Sequence, residues 1–328
     1  MKRIFAMVLA LSLLALTACA PQEAEPENIT FVLDWTPNTN HTGLYVALEK
    51  GWFQEAGIES VTVVQPPEDG AEVLVGSGRA QFGVSFQDYL APALVGDEAL
   101  PITAVAAVIQ HNTSGIISRK GEGMDRPAGL EGKRYATWDL PVEKATLKQV
   151  MERDGGDFSK VELIPSTVTD EVSALQSNSV DAIWVYYAWA GIACEAAGLE
   201  TDYFAFADID PAFDYYTPVI IANDNFLAAN RSTAKAFLSA LARGYEFAIE
   251  NPREAADILM KHAPELKSNP ELVYASQEYL ASRYTADASR WGEIDADRWA
   301  AFFHWLNAEG LVEEPLDPNA GFTNDFLN

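Results

Sequence analysis

The feature that most constrains this chain is an alternation. From residue 29 onward, short runs rich in β-branched and aromatic residues are each followed by a stretch with helical spacing. The strand patterns fall at 29–33, 61–64, 81–85 and 102–108, with helical patterns at 43–55, 72–76 and 87–95 between them. A second series places strands at 134–137, 161–164 and 182–186, with helices at 142–153 and 171–177. Strand, helix and strand in strict succession need crossover connections, so the expected fold class is α/β with mainly parallel sheets covered by helices.

Size divides the chain. A body of about 300 residues exceeds what one hydrophobic core usually organises, so two α/β lobes are expected. Residues 217–222 (TPVIIA) read as a buried strand, and the pattern beyond them is helical: 232–250, a helix started by Asn251-Pro252, and 295–306 with Trp299, Phe302, Phe303 and Leu306 on one face. Terminal helices of this kind are expected to pack back on the first lobe. Lobe 1 is therefore expected to be discontinuous, 29–114 plus 217–328, with lobe 2 inserted at 115–216. Two chain crossings, near 110–118 and 214–220, would make a hinge.

The first residues carry an address. Lys2 and Arg3 precede an apolar stretch, 6–16, interrupted only by Ser12 and too short to span a bilayer. It runs into Leu16-Thr17-Ala18-Cys19, which resembles a bacterial lipobox, implying a signal peptide over 1–19 and a diacylated Cys19 as membrane anchor. Residues 20–28 (APQEAEPEN) read as a polar tether. Loss of Lys2 and Arg3 leaves 20 basic against 48 acidic residues, a balance that repels nucleic acid. Cys194 is then the one cysteine of the body and is expected to be a small buried thiol.

Catalytic machinery is hard to find in the pattern. His41, His111, His262 and His304 lie far apart without metal-ligand spacing, and no cysteine pair suits zinc. Gly76-Ser77-Gly78 lacks the rest of a dinucleotide fingerprint, and neither a Walker A sequence nor a GxSxG elbow occurs. No cofactor or metal is expected.

Three clusters suit ligand binding instead. In parallel sheets the loops at strand carboxyl ends line the ligand crevice, and the loop after the first strand reads Asp34-Trp35-Thr36-Pro37-Asn38-Thr39-Asn40-His41. Its polar residues also suit turn formation; Trp35 is the residue that a turn does not require. Trp184, Tyr186, Tyr187 and Trp189 end the last strand of the second series, where strand alternation puts Trp184 in the core and leaves Tyr187 and Trp189 as ligand candidates. Trp138-Asp139-Leu140-Pro141-Val142-Glu143 is a strand-to-helix turn that could meet a ligand's electronegative edge or be capped by Asp139. Asp214 and Tyr216, at the second crossing, could face a ligand or pack the hinge.

These segments carry a resemblance. LDWTPNTNHTGLYVALEKGWFQEAGI (33–58), VDAIWVYYAWAGI (180–192), FLSALARGYEFAIENPREAADIL (237–259) and GFTNDFL (321–327) resemble ABC-importer solute-binding proteins related to thiamine-pyrimidine synthases, especially those that bind formylaminopyrimidine. The resemblance implies a type II periplasmic-binding-protein fold, a monomer whose lobes close on a small heteroaromatic ligand, and delivery to a membrane permease with a cytoplasmic ATPase. It also implies that Trp35 and Asn38 hold the ring from lobe 1 and Tyr187 from lobe 2. The turn after Trp138 departs from the smaller Gly/Ser-containing turn expected of relatives. The carboxylate that should face an aminopyrimidine stays open among Asp139, Glu143, Glu195 and Asp214. Riboflavin, another small heteroaromatic or a sulfonate is the alternative ligand, a sensor module the alternative partner. A pyrimidine synthase would need a cysteine-rich motif that this body lacks.

Overall fold

The computed structural model describes residues 27–166 and 168–327. The expected signal peptide, Cys19 and nearly all of the tether lie outside them. Among the described residues no helix is long and apolar enough to cross a membrane.

The strands, in chain order, are β1 Glu27–Val32, β2 Ile58–Val64, β3 Phe82–Ser85, β4 Ile102–Ala107, β5 Ser114–Arg119, β6 Arg134–Thr137, β7 Glu162–Pro165, β8 Ala182–Tyr186, β9 Thr201–Ala205 and β10 Val219–Asn223. They form two five-stranded sheets of order β2-β1-β3-β10-β4 and β7-β6-β8-β5-β9. In each sheet four strands run one way, three of them paired in parallel, and the fourth position is held by the one opposed strand, which has just crossed from the other lobe. β10 lies antiparallel to β3 and β4, and β5 antiparallel to β8 and β9. The crossings occupy residues 108–113 and 206–218. The two halves are thus α/β lobes of one topology, with the second inserted into the first.

Two strands depart from the sequence expectation. β5 (SGIISR) falls in the expected first crossing and β9 (TDYFA) is absent from the expected strands, yet β5 is almost wholly buried between its neighbours. Both are short and antiparallel, so neither follows the strand-then-helix rhythm. The expected helix at 43–55 is two helices, Thr42–Glu49 and Trp52–Glu55, because Gly51 takes a left-handed conformation at φ 73°.

One face of the first sheet is covered by the helix Arg231–Glu250, which buries Ala234, Phe237, Leu238, Leu241, Gly244, Tyr245 and Ala248 at three- and four-residue spacings. Phe237 stacks on Phe82 at 4.2 Å and on Phe53 at 4.9 Å, and full burial of such a ring contributes roughly 1.5–3 kcal/mol. This helix crosses Thr42–Glu49 at backbone contact: a Cβ on Gly244 would stand 1.9 Å from the Gly43 carbonyl oxygen. Glycine at both positions therefore fixes where Thr42–Glu49 starts, and with it the preceding loop.

Beyond packing on the first lobe, the terminal helices also touch the second. Trp305, on the helix Ala296–Glu309, donates its indole N–H to Gln149 of lobe 2's helix Pro141–Arg153 at 2.7 Å, and packs edge-on against Phe213 at 4.9 Å. The helix Pro270–Ala281 reaches across as well: the Ser276 hydroxyl donates to the Ala188 carbonyl of lobe 2 and accepts from Thr39 of lobe 1 at 2.6 Å.

Candidate functional site

Between the lobes lies a cavity of about 500 Å³, lined from the carboxyl ends of β1 and β3 on one side and of β6 and β8 on the other. Strand termini converge there because both parallel triplets point their carboxyl ends at the cleft.

The loop after β1 is built as a rigid shelf. Asn38 Oδ1 accepts from the Asn40 N–H at 2.9 Å, and Asn38 Nδ2 donates to the Thr36 carbonyl at 3.1 Å. The Asn38 N–H donates to His41 Nδ1 at 3.1 Å, which leaves Nε2 as the donor to Asp34 Oδ1 at 2.6 Å. Tyr245 and Tyr284 hydroxyls donate to the carbonyls of Asn40 and Thr39 at 2.6 and 2.7 Å. Every bond holds the shelf, while Trp35 at its rim stays 51% exposed beside the cavity. Asn38 lines the cavity with its side chain engaged at both ends.

In the strand-to-helix turn after β6 the capping group is Glu143, not Asp139. Glu143 is buried and accepts from the Tyr135 hydroxyl at 2.6 Å, Thr137 Oγ1 at 3.0 Å, the Trp138 N–H at 3.1 Å and the Leu140 N–H at 3.2 Å. Asp139 sits at φ 64° and turns outward to Lys144 at 2.8 Å, away from the cavity. The turn presents Trp138, 42% exposed and 5.8 Å from the Trp184 ring.

β8 runs into a π-helical turn, Tyr187–Gly191, and this resets which side chains face the cavity. Trp184 and Tyr186 share the cavity side of the strand, and Ala188, Trp189 and Ala190 reach it from the turn. Tyr187 does not line the cavity: its ring packs on Tyr203 at 4.6 Å and Tyr279 at 5.6 Å, and its hydroxyl donates to Glu195. Asp214 and Tyr216 also lie off the cavity. Asp214 joins the crossings, accepting from the Asn112 N–H at 2.9 Å and meeting His111 at 2.7 Å and Arg298 at 3.4 Å. Tyr216 is buried against Trp299, its oxygen accepting from the Asp295 N–H at 2.8 Å.

Lining residues that the sequence reading passed over include Phe86, which follows β3 directly, Asp88 and Tyr89 in the first turn of the helix Gln87–Ala93, and Glu171 and Thr217. The same carboxyl-end rule that selected Trp35 selects Asp88. Burial pushes the Asp88 carboxyl up to about 7, with the nearby Glu72 charge adding to the rise. Burial raises Glu171 too. The lining holds four carboxyl side chains, Asp34, Asp88, Glu143 and Glu171, and no lysine, arginine or histidine. Among the described residues no cluster of three or more His, Cys, Asp or Glu suits a metal ion.

Two mixed α/β lobes on either side of an aromatic cleft define a periplasmic-binding-protein fold, and solved structures agree. The aliphatic sulphonate binding protein of Escherichia coli superposes with a TM-score of 0.70 at 14% identity, over 90% of this chain and 91% of that one. The chain belongs to the NMT1/THI5-like family, whose profile matches residues 38–255. A formylaminopyrimidine-binding protein of Halalkalibacterium halodurans is 28% identical over 99% of both chains. A Saccharomyces cerevisiae 4-amino-5-hydroxymethyl-2-methylpyrimidine phosphate synthase is 24% identical, covering 92% of this chain and 88% of the relative.

Proposed function

We propose that this chain is the extracytoplasmic solute-binding component of an ABC importer, held at the membrane through Cys19 and acting as a monomer. Its solute is a thiamine pyrimidine precursor of the formylaminopyrimidine or hydroxymethylpyrimidine type, bound without chemical change. The observation that carries this reading is the composition of the cavity wall: aromatic rings from both lobes, four carboxyl groups and no basic side chain. Such a wall suits a flat, uncharged or cationic heterocycle and penalises sulfonates, phosphates and carboxylates, which would enter with no counter-charge. The full-length likeness to a formylaminopyrimidine-binding protein supports the same ligand class.

Ligand contacts from both lobes exist only when the lobes are together, so binding shifts the two crossings toward closure, and the permease reads the closed form. A fused-ring heterocycle such as riboflavin is the second reading, favoured by a cavity whose 500 Å³ leaves space beyond one ring.

The test is a thermal-shift screen of residues 20–328 against formylaminopyrimidine, 4-amino-5-hydroxymethyl-2-methylpyrimidine, thiamine, riboflavin and taurine. A rise with the pyrimidines alone supports precursor uptake, and mass spectrometry should recover them unaltered. A rise with riboflavin alone transfers the site to the second reading, and a rise with taurine overturns the argument from wall charge.

A further inference from the structure

Among the described residues, four side chains lining the cavity hold a polar atom that is shielded from solvent and has no hydrogen-bond partner: Asn40 Oδ1, Asp88 Oδ1, Trp184 Nε1 and Thr217 Oγ1. An amide can flip and a hydroxyl can rotate toward another partner. A carboxyl has only acceptor oxygens when ionised, and an indole N–H has one fixed direction. The Trp184 case stands apart from its neighbours, because the buried indoles of Trp291, Trp299 and Trp305 donate at 3.2, 2.9 and 2.7 Å. Buried polar atoms are nearly always paired, so two orphans in one cavity mark where something else supplies the bond.

Resting on the ligand reading above, we infer that Asp88 and Trp184 set specificity, Asp88 accepting an N–H of the ligand from lobe 1 and Trp184 donating to a ring acceptor from lobe 2. An aminopyrimidine carries amino donors and ring-nitrogen acceptors around one flat ring, which meets both demands. Because the two partners stand on different lobes, satisfying both joins the lobes. The wrong heterocycle leaves one of the buried atoms unpaired and is rejected on that account. The titratable groups facing Asp88 are Glu72, Tyr89, Tyr186 and Tyr215, none of which supplies a positive charge.

The experiment has two arms. In the first, Asp88→Leu and Trp184→Phe are titrated calorimetrically with 4-amino-5-hydroxymethyl-2-methylpyrimidine at pH 8, and each is expected to weaken binding about tenfold or more. In the second, the melting temperature of ligand-free Asp88→Leu is compared with that of the parent chain. Removing a carboxylate whose Oδ1 is shielded without a partner should raise it, more at pH 8 than at pH 5, whereas a side chain with a structural role would lower it. Parent-like affinity in both variants overturns the inference, as does a lower melting temperature for Asp88→Leu at pH 8. If the parent chain itself fails to bind the pyrimidine, the ligand reading has failed, and the second arm alone decides whether Asp88 is an unsatisfied ligand partner.

Discussion

Replacing Trp35 with alanine should separate binding from folding, because the indole is held by a rigid loop yet leaves half its surface open. A tryptophan side chain offers roughly 200 Å². With 51% exposed, about 100 Å² is available to a ligand. A ring stacked on one face covers about half of that, which at roughly 25 cal/mol per Å² contributes about 1.3 kcal/mol. Stacking adds about 1 kcal/mol beyond area, for a total near 2 kcal/mol, or a loss of about thirtyfold in affinity. The loop itself does not depend on the indole: the His41–Asp34 contact, the Asn38 bonds and the two tyrosine clamps all survive the change. Stability should therefore fall by less than about 1 kcal/mol. Calorimetric titration with 4-amino-5-hydroxymethyl-2-methylpyrimidine, paired with thermal unfolding, measures both quantities. A change in affinity below about threefold would refute the stacking argument, and a large drop in melting temperature would refute the claim that the shelf stands without its tryptophan.

Tyr187→Ala should show the reverse balance, losing about 2–4 kcal/mol of stability as the Tyr203 and Tyr279 contacts vanish and weakening binding less than Trp35→Ala does; if calorimetry ranks them the other way, Tyr187 belongs at the ligand after all. Asp181 accepts from Arg134 and Arg119, and these guanidinium groups, Arg134 first, hold its carboxyl down at about 2. The folded value lies below the unfolded one, so this stabilisation is present above about pH 4 and is lost as pH falls toward 2. Asp181→Asn should accordingly cost up to about 2 kcal/mol at pH 7 and nearly nothing at pH 2, as read by urea unfolding at the two values. Cys194 is fully buried, and burial pushes its thiol up to about 11, so in protein lacking Cys19 a thiol reagent should react only after denaturant is added; prompt reaction of the native protein would contradict its placement.

The parallel triplets were legible because buried parallel strands read as continuous apolar runs, each bounded by a helix with its own period. β5 and β9 escaped because each pairs only with antiparallel neighbours and neither is followed by a helix, and SGIISR reads equally well as a connection. The carboxyl-end rule found the Trp35 loop and the Trp138 turn. Applied to β3 it also reaches Asp88, in the first turn of the helix that follows. Parity was the limit at β8: alternation places Tyr186 with Trp184, but the π-helical turn that follows swings Trp189 inward and Tyr187 outward, and nothing local in YYAWAG announces it. Asp214 lay beyond reach for another reason. Its partners His111 and Arg298 come from the other crossing and the last helix, contacts that only the assembled lobes create.

The position of β10 bears on how the molecule is made. Every strand of the second sheet lies between residues 114 and 205, so that sheet is complete as soon as the chain has emerged to β9. The first sheet waits: β3 and β4 have no partner between them until residues 219–223 arrive, and its covering helix ends only at Glu250. The strands of the lobe written second are therefore all available before the first sheet has its full set. Fragments that stop short of residue 219 are left with two open strand edges, a form prone to aggregate.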